Sequence, residues 1–260
     1  MTIPKTIHYC WFGGNPLPVS VKRCIKSWKK YCPEYNIIEW NESNFDIYCN
    51  MYCKKMAENK KWAFISDYAR LKIVYEYGGI YLDTDVELIR PLDELLKYKA
   101  FMGFQDLKEV ATGLGFGAVR NHSFIKENME YYENLPEDFT SVACPNITTN
   151  LLRAHGLTDD YGDIQYVADV TIFPIEFFCP KSERTGLIEK TENTFSIHHF
   201  DASWFSEEWK KGQKKRWRRE KIRYIRHIPN RCLRKWLGME RYNKLKKIFK
   251  RQVSDDERMQ

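Results

Sequence analysis

An α/β fold is what this sequence predicts, and three observations predict it. Residues 5–40 read as strand, glycine loop, helix and strand; residues 62–79 read as a long helix stopped by two glycines; residues 80–85 read as a short buried strand ending in two aspartates. Strand–loop–helix–strand opens doubly wound nucleotide-binding sheets, and such sheets hold ligands beyond the carboxyl ends of their strands.

Lys5–Phe12 (Lys-Thr-Ile-His-Tyr-Cys-Trp-Phe) is rich in the β-branched and aromatic residues that fit a pleated surface. Gly13-Gly14-Asn15-Pro16 ends it in a loop. Val19–Tyr31 is predicted helical and Asn36–Trp40 a second strand. In Trp62–Tyr77 the residues Trp62, Ile65, Ala69, Ile73 and Tyr77 follow helical spacing, with Leu71 and Val74 alongside. Gly78-Gly79 stops that helix, and Ile80-Tyr81-Leu82 then presents Asp83-Thr84-Asp85. Further strands are predicted at Ala100–Gln105, Gly115–Val119, Tyr166–Phe173 and Thr194–Phe200, and helices at Phe124–Asn134 and Ile147–His155. From Glu207 onward two basic helices are predicted, divided near Pro229-Asn230. The expected organisation is a body over 1–205 and a basic helical tail over 206–260.

The chain of 260 residues is 43% hydrophobic and 15% aromatic, which supports a sizeable core and excludes global disorder. Its formal charge of +7 is unevenly placed. Residues 210–251 hold 19 Lys/Arg against Glu220 and Glu240, a net +17, so the rest of the chain carries −10. No apolar run approaches the roughly 18–20 residues of a membrane span. Met1–Lys5 lacks the basic-then-apolar pattern of a signal region. The eight cysteines (10, 24, 32, 49, 53, 144, 179 and 232) show no paired metal-ligand spacing and are expected as reduced, mostly buried thiols in a cytoplasmic protein.

Four groups of residues carry candidate chemistry. Asp83 and Asp85, one residue apart at a strand end, can meet one hard divalent cation such as magnesium or manganese, which takes oxygen ligands and leaves positions for phosphates; Glu87 adds a third acid. Asp67 and Arg70, at i and i+3, share a helix face and read either as a surface ion pair or as a fork for sugar or ribose hydroxyls. Ile197-His198-His199-Phe200-Asp201-Ala202-Ser203-Trp204 places two imidazoles at a strand end, either able to complete a metal site. Trp11, beside Gly13-Gly14, can pack a core or stack on a base.

Ile3 to Gly14, Ser66-Asp67-Tyr68-Ala69-Arg70, and Tyr77 to Glu87 together resemble glycosyltransferase family 32, which holds DXD-motif sugar transferases including bacterial capsular-polysaccharide enzymes. The same blocks resemble the glucosylating domain of large clostridial toxins, down to the sixteen-residue offset from Asp67 to Asp83. The likeness is dense over residues 3–90, recognisable over 194–204, generic between, and absent after 205. It implies a GT-A (Rossmann-like nucleotide-sugar-binding) fold, a nucleotide-diphosphate sugar donor with UDP preferred, a manganese or magnesium ion, and retention of anomeric configuration. By the resemblance, Trp11 stacks on the base and Asp67 and Arg70 hold sugar or ribose. Asp83 and Asp85 organise metal and diphosphate, His198 is the late metal ligand with His199 as the competing choice, and Ser203 and Trp204 lie near the diphosphate. The implied activity is hexose transfer to a glycan acceptor, lipid-linked in the preferred reading and protein or soluble in the alternative, within surface or capsular polysaccharide synthesis.

In the tail, Trp209, Trp217, Ile222, Leu233, Trp236 and Leu237 interleave with cations, a pattern of membrane-surface helices. The expected place is therefore cytoplasmic, peripheral to an anionic membrane face. Nucleic-acid binding through the tail is the rival class, disfavoured because no reader motif accompanies the charges and the body is acidic.

Overall fold

The computed structural model describes residues 2–139, 143–201 and 207–226. These divide into two compact units, one of residues 1–182 and 188–205 and one of residues 183–187 and 206 onward.

The first unit is built on a seven-stranded sheet. In chain order its elements are β1 (Thr6–Cys10), α1 (Val19–Tyr31), β2 (Asn36–Trp40), α2 (Met51–Glu58), α3 (Trp62–Tyr77), β3 (Gly79–Tyr81), β4 (Val86–Leu88), β5 (Ala100–Gly103), β6 (Phe116–Ala118), α4 (Ser123–Glu133), α5 (Cys144–Ala154), β7 (Gln165–Val167), β8 (Val170–Phe173), α6 (Ile175–Phe178) and β9 (Ser196–His198). The sheet order is β2-β1-β3-β6-β5-β8-β7, with β4 and β9 forming a separate two-stranded sheet. β2, β1 and β3 run parallel, as do β5 and β8, while β6 and β7 are antiparallel to their neighbours. The mixed α/β class predicted from the sequence is the class observed, and the Rossmann-like opening lies where the glycine loop placed it.

Alternation along the strands divides the core between the two faces of the sheet. Cys10, Tyr81, Ala100 and Met102 pack with Tyr52, Ile65, Tyr68, Leu71 and Val74 of α2 and α3. Ile7, Tyr9, Ile80, Leu82 and Phe101 pack on the other face with Cys24 and Trp28 of α1, with β4, and with Phe178. Helix α3 is buried on most of its circumference, and each of Ile65, Leu71, Ile73 and Val74 contributes roughly 1.5–3 kcal/mol by leaving water. Tyr77 departs from the predicted stripe and is 54% exposed, because the helix there leaves the sheet at Gly78. Gly79 follows at φ +106°, where a Cβ would lie 2.9 Å from both the His8 ring and the Thr6 carbonyl. Only glycine lets α3 turn directly into β3 beside β1.

One predicted element differs, and α2, β4 and α6 form where the sequence singles out no element. Tyr166–Phe173 is not one strand but the hairpin β7–β8, turned by Ala168 and Asp169 at φ 50° and 62°. A two-residue turn with both φ values positive matches strand twist, but Ala-Asp gives no glycine to advertise it. Helix α2, which the sequence does not single out, is capped by the Asn50 side chain accepting from the Cys53 N–H at 2.8 Å. Cys49 is exposed; Cys10, Cys24, Cys32, Cys53, Cys144 and Cys179 are buried free thiols.

In the second unit, α7 (Glu207–Arg226) is the first of the two predicted basic helices; the second lies outside the described residues. No described helix is long and apolar enough to cross a membrane.

Candidate active site

β1 and β3 are adjacent and parallel, so Trp11 and Asp83 leave the carboxyl ends of neighbouring strands. Trp11 is half-buried against the α1-side core, and its Nε1 donates to the Asn15 carbonyl at 2.6 Å, which ties the ring to the glycine loop. After Leu82 the chain makes a tight turn, the Val86 N–H donating to the Asp83 carbonyl at 3.0 Å, and enters β4. Helix α1 fixes β4: Trp28 Nε1 donates to the Val86 carbonyl at 2.7 Å and the Leu88 N–H donates to Ser27 Oγ at 2.9 Å.

Pairing of β4 with β9 brings in the distant histidines. Val86 lies opposite His198 in antiparallel register. His198 Nε2 stands 3.2 Å from Asp85 Oδ1, and the ligand atoms of Asp83, Asp85 and His198 all lie within 4.8 Å of one another. His199 turns the other way, its Nε2 2.7 Å from Glu87 Oε2. The two imidazoles open to either role in the sequence are thereby separated: His198 joins the acid pair, and His199 braces Glu87. The segment is stitched further by the Asp201 N–H donating to Asp85 Oδ2 at 2.9 Å and the His199 N–H donating to the Asp85 carbonyl at 3.0 Å.

Arg70 reaches the acid pair from α3. Its Nη2 is 3.0 Å from Asp67 Oδ1 and 3.1 Å from Asp83 Oδ1, and its Nε donates to the Ser66 carbonyl at 3.0 Å. Nη1 is directed at Thr112 Oγ1 (3.4 Å) and Cys144 Sγ (3.8 Å). The guanidinium lies over the Tyr81 ring, whose hydroxyl donates to Asp83 Oδ1 at 3.0 Å. The Arg70 side chain is 6% exposed, so this is no surface pair but a buried clamp between two carboxylates.

Burial sets the electrostatics. It pushes Asp67 up to about 7, Arg70 opposing and Asp83 adding to the rise. Burial also raises Asp83, against Arg70 and with Asp85. For Asp85, burial is outweighed by the His198 imidazole and by backbone N–H donors, leaving it at about 2. His198 is itself raised well above the ordinary histidine value: burial opposes its charge, but Asp85 more than compensates.

Four contributors went unrecognised in the sequence. Tyr81, Thr112 and Cys144 surround Asp83 and Arg70, and Lys181 is a buried amine donating to the His199 carbonyl. The Thr112–Leu114 turn backs the acid pair: a Cβ on Gly113 would collide with Asp83 Oδ2 and approach Arg70 Nη1 to 3.3 Å. Ser203 and Trp204 lie outside the described residues.

The family model described as "Glycosyltransferase sugar-binding region containing DXD motif" matches residues 18–102. The human alpha-1,4-N-acetylglucosaminyltransferase is 35% identical over 127 residues, 47% of this chain and 34% of that one. Inositol phosphoceramide mannosyltransferase 3 of Schizosaccharomyces pombe is 29% identical over 150 residues, 56% of this chain and 41% of that one. The chain thus spans well under half the length of either relative. Among solved structures, the PaToxG glycosyltransferase is 18% identical with a TM-score of 0.49, covering 59% of this chain and 69% of that one. The matched stretch, residues 18–102, contains Asp67, Arg70, Asp83 and Asp85.

Proposed function

We propose that the chain transfers a hexose from a nucleotide-diphosphate sugar, UDP-linked in the preferred reading, to a glycan acceptor with retention of anomeric configuration. The observation that carries this is the convergence of Asp83, Asp85 and His198 within 4.8 Å inside and beside the matched region. Two carboxylate oxygens and an imidazole nitrogen suit a hard divalent cation with positions left for phosphate oxygens, so these residues would hold Mn2+ or Mg2+. Such an ion supplies neutralisation of the negative charge that gathers on a departing diphosphate.

The rest is positioning by the chain's own groups. Arg70 spends its donors on Asp67, Asp83, the Ser66 carbonyl and the Thr112–Cys144 pair, so it orients the carboxylates rather than reaching outward. The partly exposed edge of Asp67 is left to accept from sugar hydroxyls, and the Trp11 ring, held by Asn15, to stack on the base. In the step proposed, the anomeric C–O bond to the diphosphate breaks and a bond to the acceptor oxygen forms on the same face. The acceptor proton passes to a diphosphate oxygen, so no protein nucleophile is required.

The acceptor is proposed to be lipid-linked, within surface or capsular polysaccharide synthesis. The name of the yeast relative, a mannosyltransferase of a ceramide lipid, supports a lipid-borne acceptor. A panel of nucleotide sugars with Mn2+, read as released nucleoside diphosphate, tests the activity. Turnover of one donor that EDTA abolishes is expected; no turnover of any donor would remove the proposal.

A further inference from the structure

Helix α7 carries ten Lys/Arg against Glu207, Glu208 and Glu220, a net +7 over 20 residues. At 3.6 residues per turn, Trp209, Gln213, Trp217, Glu220 and Tyr224 share one face. On that face Gln213 is buried, Trp217, Glu220 and Tyr224 are half-buried, and Trp209 in the first turn is exposed. Trp217 is engaged within its own unit: Nε1 donates to the Glu183 carbonyl at 2.6 Å, and a Cβ on Gly186 would lie 3.0 Å from the indole ring. The opposite face presents Lys211, Lys214, Lys215, Arg218, Lys221 and Ile222, all exposed. None of these five cations has an ion-pair partner among the described residues; Arg223, off this stripe, is taken by Glu220 at 3.1 Å. The stripe is about 15 Å long at 1.5 Å rise per residue.

This arrangement changes the sequence expectation. A helix that sinks an apolar face into headgroups turns its aromatic residues outward; in α7 Trp217 points inward and the outward stripe is cationic. We propose that the Lys211–Lys221 face of α7 docks the chain on an anionic lipid bilayer by charge alone, without burying the helix in hydrocarbon. Anionic leaflets attract each nearby Lys or Arg, and the field fades within about 8 Å at physiological salt, which suits a short row of cations on one helix face. The proposal deepens the lipid-linked acceptor reading, which requires the chain at a membrane surface.

The test is cosedimentation of the full chain with phosphatidylcholine vesicles, with vesicles containing phosphatidylglycerol at about one lipid in three, and with duplex DNA in parallel, at 0.1 and 0.5 M NaCl, salt being the lever that screens such contacts. Binding to the anionic vesicles alone at low salt, with release at high salt, is expected. The Lys211→Glu/Lys215→Glu/Arg218→Glu variant should lose affinity by more than the roughly 100-fold that removing three cations without reversing them would cost. The Lys211→Gln/Lys215→Gln/Arg218→Gln variant should fall between it and the parent, and Ile222→Ser should bind like the parent. Circular dichroism checks that each stays folded. Release of nucleoside diphosphate is measured separately and should be the same in all four proteins, so a failed docking and a failed transferase reading are distinguishable. Binding that survives 0.5 M NaCl, equal binding to neutral vesicles, parental affinity in the triple Glu variant, or tighter binding to DNA than to anionic vesicles would each overturn the proposal.

Discussion

The two halves of the candidate site reach the same point by different routes. One half, Asp67 to Asp85, is nearly contiguous: a helix, two glycines and a three-residue strand deliver Asp67, Arg70, Asp83 and Asp85 within nineteen positions of sequence. The other half, His198 to Asp201, arrives from more than a hundred residues away through three residue pairs of a two-stranded sheet. The first half is held by side-chain electrostatics around Arg70. The second is held by backbone, through the β4–β9 register and the N–H groups of His199 and Asp201 on Asp85. The first should therefore be sensitive to loss of one charged group, and the second to loss of register but tolerant of most single side chains except His198.

Removing Arg70 is the most damaging single change to that balance. Arg70→Ala leaves Asp67 and Asp83 buried without their shared cation, and a stability loss of about 3–5 kcal/mol is expected in urea denaturation. A loss below about 1 kcal/mol would mean that the clamp is solvated and that the contrast drawn above is wrong. Gly113→Ala separates geometry from charge. Its Cβ displaces the Asp83 carboxylate while every ionisable group remains, so nucleoside diphosphate release should fall by on the order of 100-fold as 1 Å misplacements do.

The histidines test the imported half. His198→Ala should weaken Mn2+ binding by at least tenfold, whereas His199→Ala, which removes only the brace on Glu87, should change it less than that. Equal effects in a titration calorimeter would contradict the division of roles.

The smallest effect concerns the strand beside the site. His8 is buried, with Nδ1 accepting from Trp40 Nε1 at 3.1 Å and Nε2 directed at the Gly78 carbonyl at 2.9 Å, and burial lowers its pKa below the ordinary 6.5. The unfolded chain thus takes up a proton at a pH where the folded chain does not. Stability from this group is present above about 6.5 and declines as pH falls below it. Between pH 7.5 and 5.5 the wild type should lose more stability than His8→Gln. Parallel slopes for the two proteins would show that His8 titrates normally.

How far the sequence could be read follows the same divide. The bounds of α3 were legible because periodic apolar residues and Gly78-Gly79 mark them, α1 and β2 because their apolar patterns follow the glycine loop, and the acid pair because it is contiguous with α3. The β7–β8 turn was not, since Ala168 and Asp169 adopt left-handed φ without the residue that signals it. Short β4 carries too few residues for a pattern, yet its register is what selects His198 over His199. Tyr81, Thr112, Gly113, Cys144 and Lys181 act through close packing and single hydrogen bonds, which leave no spacing rule in the chain.

The account rests on Asp83, Asp85 and His198 forming one cation site that serves the donor diphosphate. Its most direct test is calorimetric titration of Mn2+ into the full chain with UDP present, comparing wild type with Asp85→Ala, each checked for folding by circular dichroism. One Mn2+ per wild-type chain, and binding lost together with donor turnover in the folded variant, is the predicted result. Unchanged Mn2+ affinity and near-normal turnover in Asp85→Ala would contradict it.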